Sequence, residues 1–194
     1  MSDLWHEPTG ATPLDPDARQ GLLPAWITTR AELNAAEQAN IARADAWVRA
    51  RKLDPLSELF VRRLHRRMFA EVWSWAGTFR RTNTNLGVDW LEIPAALRQC
   101  LTDTQFWERH KTYAPDEIGV RFHHRLVAIH AFFNGNGRHA RLIADVLMRR
   151  LGGTPFSWGS RQPGDPGAMR ARYIAALQAA DDHDIAPLLA FARS

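Results

Sequence analysis

Residues 130–141, which read H-A-F-F-N-G-N-G-R-H-A-R, gather side chains that could do chemistry on a phosphate. An imidazole with a pKa near about 6.5 can accept a proton at neutral pH, so His130 is a candidate general base. A Gly-Asn-Gly turn follows at 135–137, and such a turn at the entrance to a helix aims backbone N–H groups at one point. The segment therefore predicts a base beside an anion site.

Two arginines reinforce this prediction. Arg138 and Arg141 lie about one helical turn apart and would project from nearly the same face. Two guanidinium groups at the positive end of a helix dipole repel each other unless an anion joins them. A Gly-Asn-Gly turn alone, or one histidine at a helix end, is more often structural. The combination at this spacing favours function.

Other nucleotide and metal motifs are not supported. The sequence has no G-x-x-x-x-G-K-S/T phosphate loop. Gly135, Gly137 and Ala140 satisfy a loose dinucleotide-binding spacing, but the preceding segment reads as helix and no β-α-β unit surrounds it. The histidines lack an H-E-x-x-H arrangement or an acidic partner, which argues against a histidine metal site.

The elements that would position this segment are mainly helices. Thr29 and Glu32 form a capping box that opens a helix over about 29–51. Residues 78–93 differ, because β-branched and aromatic residues interrupted by Asn85 and Gly87 predict a small hairpin. Further helices are predicted from Asp54-Pro55 to about Trp75, from Pro94, from Pro115 to Ile129, over about 137–151, and as two short helices around Tyr173 and Leu188. The predicted fold class is all-α (mainly α) with a small β-hairpin.

Composition is that of an ordinary globular protein. Of 194 residues, 45% are hydrophobic and 24% charged, and no apolar run approaches the length of a membrane span. A lone Cys100 cannot form an internal disulfide, and without a signal-peptide pattern the cytoplasm is the expected location. The net charge of +4 permits acidic partners, but basic residues alternate with acids, so nucleic-acid binding is not expected.

The segment at 130–141 resembles the signature H-x-F-x-D/E-G-N-G-R-x-x-R of the Fic/Doc family, whose typical members transfer AMP from ATP to protein hydroxyls. The sequence W-A-G-T-F-R at 75–80 is similar to the family's W-A-G-x-x-R, and Y-I-A-A-L at 173–177 matches its C-terminal pattern. The likeness is greatest to the bacterial subgroup called mobile mystery protein B. It implies a Fic-type helical bundle with a β-hairpin flap, in which 1–26 form an irregular N-terminal arm and 27–194 a single Fic domain.

The resemblance implies a protein adenylyltransferase (AMPylation) that uses ATP as co-substrate together with Mg²⁺. His130 would take the proton from a target hydroxyl, and the oxygen would attack the α-phosphate. Arg138 would share the catalytic role by neutralising phosphate charge. The nucleotide-binding and phosphate-binding residues implied are Asn134, Gly135, Asn136, Gly137, Arg138, Arg141 and Tyr173.

One position departs from the family signature. Asn134 stands where the family carries an acid that coordinates Mg²⁺, and a neutral amide oxygen is a weaker ligand for a hard cation. Doc toxins also have Asn there and act as kinases, so a Doc-like protein phosphotransferase, or transfer of another nucleotide group, is an alternative. Gly137 favours AMP transfer, because Doc replaces this glycine by lysine. A catalytically weak nucleotide-binding regulatory module is an alternative of another class.

The resemblance also implies partners. A target protein would dock as an extended strand on the flap. Many relatives carry an inhibitory S/T-x-x-x-E-G/N helix whose glutamate pairs with the second motif arginine, here Arg141. No glutamate follows Glu117, and Thr28-x-x-x-Glu32 is better explained as a helix cap, so we expect inhibition in trans by a small antitoxin-like protein in a toxin–antitoxin pair. The flap residues are Thr82, Asn83, Thr84, Asn85, Leu86, Gly87 and Val88.

Overall fold

The computed structural model describes Leu4, residues 16–161 and residues 165–194, except for the side chain of Asp17. The described residues form helices α1 (Pro16–Arg19), α2 (Arg30–Arg49), α3 (Glu58–Phe69), α4 (Ile93–His110), α5 (Pro115–Ile129), α6 (Asn136–Arg150), α7 (Pro166–Asp181) and α8 (Ala186–Arg193). They form no sheet, and their only bridge is an isolated antiparallel one between Leu22 and Trp73. None of these helices is long and apolar enough to cross a membrane. The mainly α prediction is confirmed.

The core places the connection between α5 and α6 at its centre. Helix α5 packs against α6 and α4, while α2 packs against α3, which in turn contacts α6. One apolar cluster joins α2 to α6 and includes Phe69 and Phe132. A second cluster joins α5 and α6 to α7 and α8 through Met148 and Phe191. The residues between α5 and α6 therefore lie inside the domain rather than on its surface.

Local sequence signals set several helix ends. The predicted capping box is present, with Glu32 N–H donating to Thr29 Oγ1 at 3.3 Å and Thr29 N–H to the Glu32 carboxylate at 2.9 Å. Helix α5 has the predicted limits, and α6 lies within one residue of them. The predicted short helix around Tyr173 is longer, because Asp165 caps α7 by accepting the Ala168 N–H at 2.9 Å.

Helix α3 starts later and ends earlier than predicted. Its cap is Ser57, whose hydroxyl accepts a backbone N–H of the first turn. It stops at Phe69 instead of Trp75, because residues 21–23 form backbone hydrogen bonds with residues 72–74 and hold them in a turn. Part of the predicted N-terminal arm is thus packed on this turn, and its residues 1–15, apart from Leu4, lie outside the described residues.

The predicted hairpin over 78–93 is wrong, because residues 78–92 form an irregular loop without strands and Ile93 begins α4. One backbone N–H group of each arm bonds to the end of α5 or to the connection after it instead of to the other arm. Arg80 N–H donates to the Ala131 carbonyl at 3.0 Å, and Val88 N–H donates to the Ile129 carbonyl at 3.4 Å. Backbone groups engaged in this way cannot form a cross-strand ladder.

Three histidines are completely buried in the core: His65, His123 and His139. His65 accepts the Gly77 N–H through Nδ1 and faces the Asn134 carbonyl through Nε2, both at 3.0 Å, which fits a neutral imidazole. Burial lowers the pKa of all three, that of His123 to about 3 and that of His139 to about 4. The fold therefore holds uncharged imidazoles that would be protonated in an unfolded chain below pH about 6.5.

These histidines predict acid sensitivity. Below pH about 6.5 the unfolded chain binds more protons than the folded chain, so the free energy of unfolding should fall by roughly 1 kcal/mol per histidine between pH 7.5 and 5.5. Burial raises the pKa of Asp145 to about 6, which has the opposite sign and offsets roughly one histidine. Urea denaturation at several pH values measures how the free energy of unfolding changes with pH.

Two variants test the assignment. His139→Gln should flatten the pH dependence, because it removes one depressed imidazole while an amide can still reach the Val61 carbonyl that His139 Nε2 contacts at 3.0 Å. His110→Gln, which changes an exposed histidine, is the matched control. Equal slopes in the wild type and both variants would contradict the prediction.

Candidate active site

His130 ends α5 in a left-handed backbone conformation, with φ of 52°. This conformation is uncommon for a residue with a Cβ and turns the chain abruptly out of the helix. The residue is 8% exposed. Burial, and then the positive charge of Arg80, lower the pKa of His130 to about 4, while a hydrogen bond with the Val127 backbone acts in the opposite direction. The imidazole is therefore neutral at physiological pH and able to accept a proton.

Arg80 fixes the backbone around His130. Its guanidinium is buried and donates to three carbonyls: from Nε to His130 at 2.7 Å, from Nη1 to Thr82 at 2.8 Å, and from Nη2 to Val88. Burial lowers its pKa, and the charge of Asp89 raises it. One side chain thus holds both the base and the ends of residues 82–88, which we call the flap loop.

The turn before α6 depends on a glycine. Gly135 has φ of 78°, and a Cβ there would lie 2.5 Å from the Phe69 ring. Before it, the Asn134 carbonyl is held by His65, and the Asn134 side-chain oxygen accepts the Gly135 N–H at 2.5 Å. The turn is therefore pressed onto α3 in a shape that only glycine adopts without strain.

The predicted phosphate-binding residues Asn136 and Gly137 have different surroundings. The Asn136 side chain is buried and bonds to both backbone groups of Phe132, accepting the N–H at 2.9 Å and donating to the carbonyl at 2.8 Å. Its amide group therefore closes the loop, and phosphate binding by Asn136 stays a prediction. A Cβ at Gly137 would lie 3.6 Å from Tyr173 Oη. No side chain of the residues that the structure describes caps α6, so the first backbone amides of the helix can bind an anion.

Arg138 is held by a carboxylate that the sequence analysis missed. Its Nη1 donates to Glu37 Oε2 at 2.6 Å, and its guanidinium carbon lies 5.1 Å from the centre of the Phe69 ring. The Glu37 side chain is 4% exposed and also accepts the Trp73 indole N–H at 2.7 Å. A signal was present, because Glu37 falls on the buried stripe of α2, which also contains Leu33, Asn40, Ala44 and Val48.

Arg141 lies beside Tyr173, with its guanidinium carbon 5.3 Å from the ring centre. The Tyr173 hydroxyl lies 3.0 Å from His123 Nε2, which ties α7 to α5. Burial lowers the pKa of Arg141, and the charges of Arg138 and Arg170 act in the same direction. Within the described ranges no carboxylate forms an ion pair with Arg141. The site thus gathers positive charge that an anion would relieve.

The described residues suit Mg²⁺ poorly. Asn134 provides one neutral oxygen, and that oxygen already accepts the Gly135 N–H. Hard divalent cations prefer carboxylate and other oxygen ligands in larger number. Among the residues that the structure describes, no group of three or more His, Cys, Asp or Glu could hold a metal ion. No step of the chemistry below therefore depends on a metal held by this chain.

The predicted residues lie on neighbouring elements. The α5–α6 connection links His130 to the 134–137 turn, α6 carries both arginines, and α7 brings Tyr173 to the start of α6. The flap loop also reaches the base, since a Cβ on Gly87 would lie 2.6 Å from His130 Cβ. Of the other flap residues, Val88 packs against the core, whereas Leu86 is 49% exposed.

Known proteins resemble this chain in sequence. The Fic/DOC family pattern matches residues 55–148. The chain is 31% identical over 132 residues to the protein adenylyltransferase Fic of Drosophila grimshawi. The matched segment covers 66% of this chain and 26% of that relative. The Drosophila melanogaster protein of the same name is also 31% identical, over 25% of its length. The chain thus spans about a quarter of the length of these curated relatives.

Solved structures share the fold. BepC of Bartonella tribocorum, crystallised with AMPPNP, superposes with a TM-score of 0.69 at 16% identity, covering 92% of this chain and 97% of that one. Fic-1 of Caenorhabditis elegans gives a TM-score of 0.65 at 24% identity, covering 90% and 51%. The family match over residues 55–148, together with the motif at 130–141, shows that the chain contains a Fic/DOC family domain.

Proposed function

We propose that this chain is a protein adenylyltransferase that moves AMP from ATP to a hydroxyl of a target protein. The observation that carries the proposal is a buried, neutral His130 in the short connection that leads into α6, a helix that carries two arginines and whose first turn no described side chain caps. This arrangement offers a proton acceptor next to a phosphate-binding helix end. The related Drosophila proteins are named as adenylyltransferases, which supports the same activity here.

The reaction would proceed by in-line attack. His130 removes the proton from the target hydroxyl, whose oxygen forms a bond to the α-phosphorus of ATP while the bond to pyrophosphate breaks. The bond between the His130 ring and the Val127 backbone fixes the orientation of the imidazole. Arg138 and Arg141 offset the charge that moves onto the leaving pyrophosphate. The buried imidazole is deprotonated before the reaction and so begins as a base.

The co-substrate ATP is part of the proposal. Structural neighbours bind related nucleotides: BepC holds AMPPNP, and the N-terminal Fic domain of a Bartonella quintana protein holds ADP with a TM-score of 0.67. Any Mg²⁺ that accompanies the nucleotide must be held mainly by its phosphates and by water, because Asn134 offers no charge. The cytoplasm, as a source of ATP, is the proposed location, and membership of the mobile mystery protein B subgroup stays a prediction.

Two alternatives follow from Asn134. A neutral residue in place of the acid motivates γ-phosphoryl transfer of the Doc type, or transfer of another nucleotide group. It also motivates a nucleotide-binding regulatory module with little turnover. Gly137 favours AMP transfer, because Doc has lysine at this position; a Cβ at Gly137 would lie 3.6 Å from Tyr173 Oη, an ordinary contact distance.

Partners form a separate part of the proposal. The flap loop would bind an extended segment of the target, and the exposed side chains of Leu86, Trp90 and Leu91 provide apolar surface beside it. A small antitoxin-like protein could inhibit in trans by presenting a carboxylate to Arg141. Support comes from Arg141 having no ion-pair partner among the described residues, in contrast to Arg138. Activity that appeared only after mutation of the N-terminal segment would contradict inhibition in trans.

The first test uses ATP labelled at either the α- or the γ-phosphate, incubated with the protein and a bacterial lysate. We expect protein-bound label from the α position only. His130→Asn is the preferred inactive variant, because asparagine tolerates a left-handed backbone better than alanine, and exposed His110→Gln is the matched control. Label from γ only would indicate a kinase, and ATP binding without any transfer, unchanged in His130→Asn, would indicate a regulatory module.

A pair of glycine variants tests the phosphate site. Gly137→Ala has room for its methyl group in the fold but places it where phosphates would approach, so we expect about a ten-fold weaker affinity for a non-hydrolysable ATP analogue with unchanged melting temperature. Gly135→Ala should instead lower stability by roughly 1–3 kcal/mol, because its Cβ strikes Phe69. Calorimetric titration measures the affinity for the nucleotide analogue, and thermal melting measures the stability. Unchanged affinity in Gly137→Ala would argue against phosphate binding at this helix end.

A surface variant tests the flap. Leu86→Ser should raise the KM for the protein target several-fold and leave the KM for ATP unchanged, because Leu86 is exposed on the flap loop and distant from the phosphate turn in sequence. Leu59→Ser is the matched control, since Leu59 is 76% exposed on α3. Steady-state kinetics with a purified target give both constants. Equal effects of the two substitutions would show that the flap does not bind the target.

A further inference from the structure

Glu37 has an unusual environment for a carboxylate. It lies in the middle of α2, and 4% of its side chain is exposed. A buried carboxylate is costly unless each oxygen has a partner. Here Oε1 accepts the Trp73 indole N–H at 2.7 Å, and Oε2 accepts Arg138 Nη1 at 2.6 Å. The fold therefore keeps a charge inside the core in order to hold two donors.

The donor on one side anchors the carboxylate. Trp73 is 1% exposed, and its ring stacks on Trp75 with centroids 5.0 Å apart. Backbone bonds between residues 21–23 and 72–74 hold the same turn. The bond to the Trp73 indole keeps Glu37 in place when the arginine side chain moves. In the pair of Glu37 and Arg138, the carboxylate is therefore the fixed member.

Arg138 is the other member of the pair, and Glu37 occupies only part of the hydrogen-bonding capacity of its guanidinium. One of its nitrogens binds Glu37, its guanidinium lies over Phe69, and its side chain is 27% exposed. A guanidinium has five N–H donors in a planar fork, so donors remain for a phosphate. A guanidinium held by one edge presents its other edge in a fixed direction, which lowers the entropic cost of aligning it during a reaction.

We propose that Glu37, anchored by Trp73, is a positioning residue that sets the orientation of Arg138 toward the phosphates of the nucleotide. The inference rests on the proposed AMP transfer. Glu37 does not touch the reacting atoms and acts through Arg138 alone. It differs from an inhibitory glutamate, because its partner is Arg138 and because the carboxylate leaves the remaining donors of that guanidinium unbound.

The test is Glu37→Gln, which keeps the size of the side chain but replaces one acceptor oxygen with an NH₂ group. That group must face either the Trp73 N–H or Arg138, so one bond is lost. We expect the kcat of AMP transfer to fall about ten-fold or more, and the KM for ATP to change less than about three-fold. Glu37→Asp retains the charge and should recover part of kcat. Glu71→Gln removes the partner of Arg43 in an exposed ion pair and is the matched control.

A second readout makes the outcome independent of turnover. Nitrogen-15 NMR of arginine side chains should show hindered rotation of the Arg138 guanidinium in the wild type and free rotation in Glu37→Gln, with Arg138→Lys to assign the signal. If Glu37→Gln fails to fold, Trp73→Phe removes the indole donor and should reduce kcat in the same sense. An unchanged kcat in Glu37→Gln, or an equal loss of kcat in Glu71→Gln, would overturn the proposal. A higher kcat in Glu37→Gln would also overturn it, because Glu37 would then compete with the nucleotide for Arg138.

Failure of the proposed function gives a different pattern. If the wild-type protein transfers no α-label, AMP transfer is refuted, and the role of Glu37 is judged by the NMR signal and by affinity for a non-hydrolysable ATP analogue. Loss of hindered rotation together with weaker binding in Glu37→Gln would still support positioning. Retention of both would overturn it.

Discussion

A connection between two helices that runs through a core leaves backbone groups out of reach of water, and each of them needs a partner. The segment between α5 and α6 meets this constraint with side chains as well as backbone. Arg80 binds the carbonyl of His130, His65 binds that of Asn134, and Asn136 binds both backbone groups of Phe132. The geometry of the candidate site follows from these bonds, because they hold a left-handed histidine and a left-handed glycine in place.

The helices were largely predictable because their signals are local. A capping box at Thr29, a proline at the start of α5 and a glycine before α6 act within a few residues of the ends they define. The flap was not predictable from composition, because its conformation is set by contacts remote in sequence. Its arms bond to Ile129 and Ala131, about forty to fifty residues further along the chain by the printed numbering, and no local pattern encodes that choice.

The residues of the candidate site also divide into those that could be predicted from sequence and those that could not. The motif residues could be found from sequence because they are consecutive, and their convergence needs only one turn. Glu37 and Arg80 come from distant elements, and a buried charge reveals its purpose only when its partners are visible. Asn136 shows that a polar residue inside a predicted phosphate motif can also have a structural task, because its side chain closes the loop. Spacing identifies the residues of a site better than it assigns their separate tasks.

The three carbonyls bound by Arg80 have a mechanical consequence. Two of them belong to the ends of the flap loop and the third to His130, so one rigid guanidinium ties the surface that would meet a target to the group that would deprotonate it. A bound segment that displaced the flap loop would therefore, through Arg80, also displace the backbone of His130. If a target binds the flap loop as proposed, a poor fit there would misalign His130, and selectivity for the target would then depend on the rate as well as on binding.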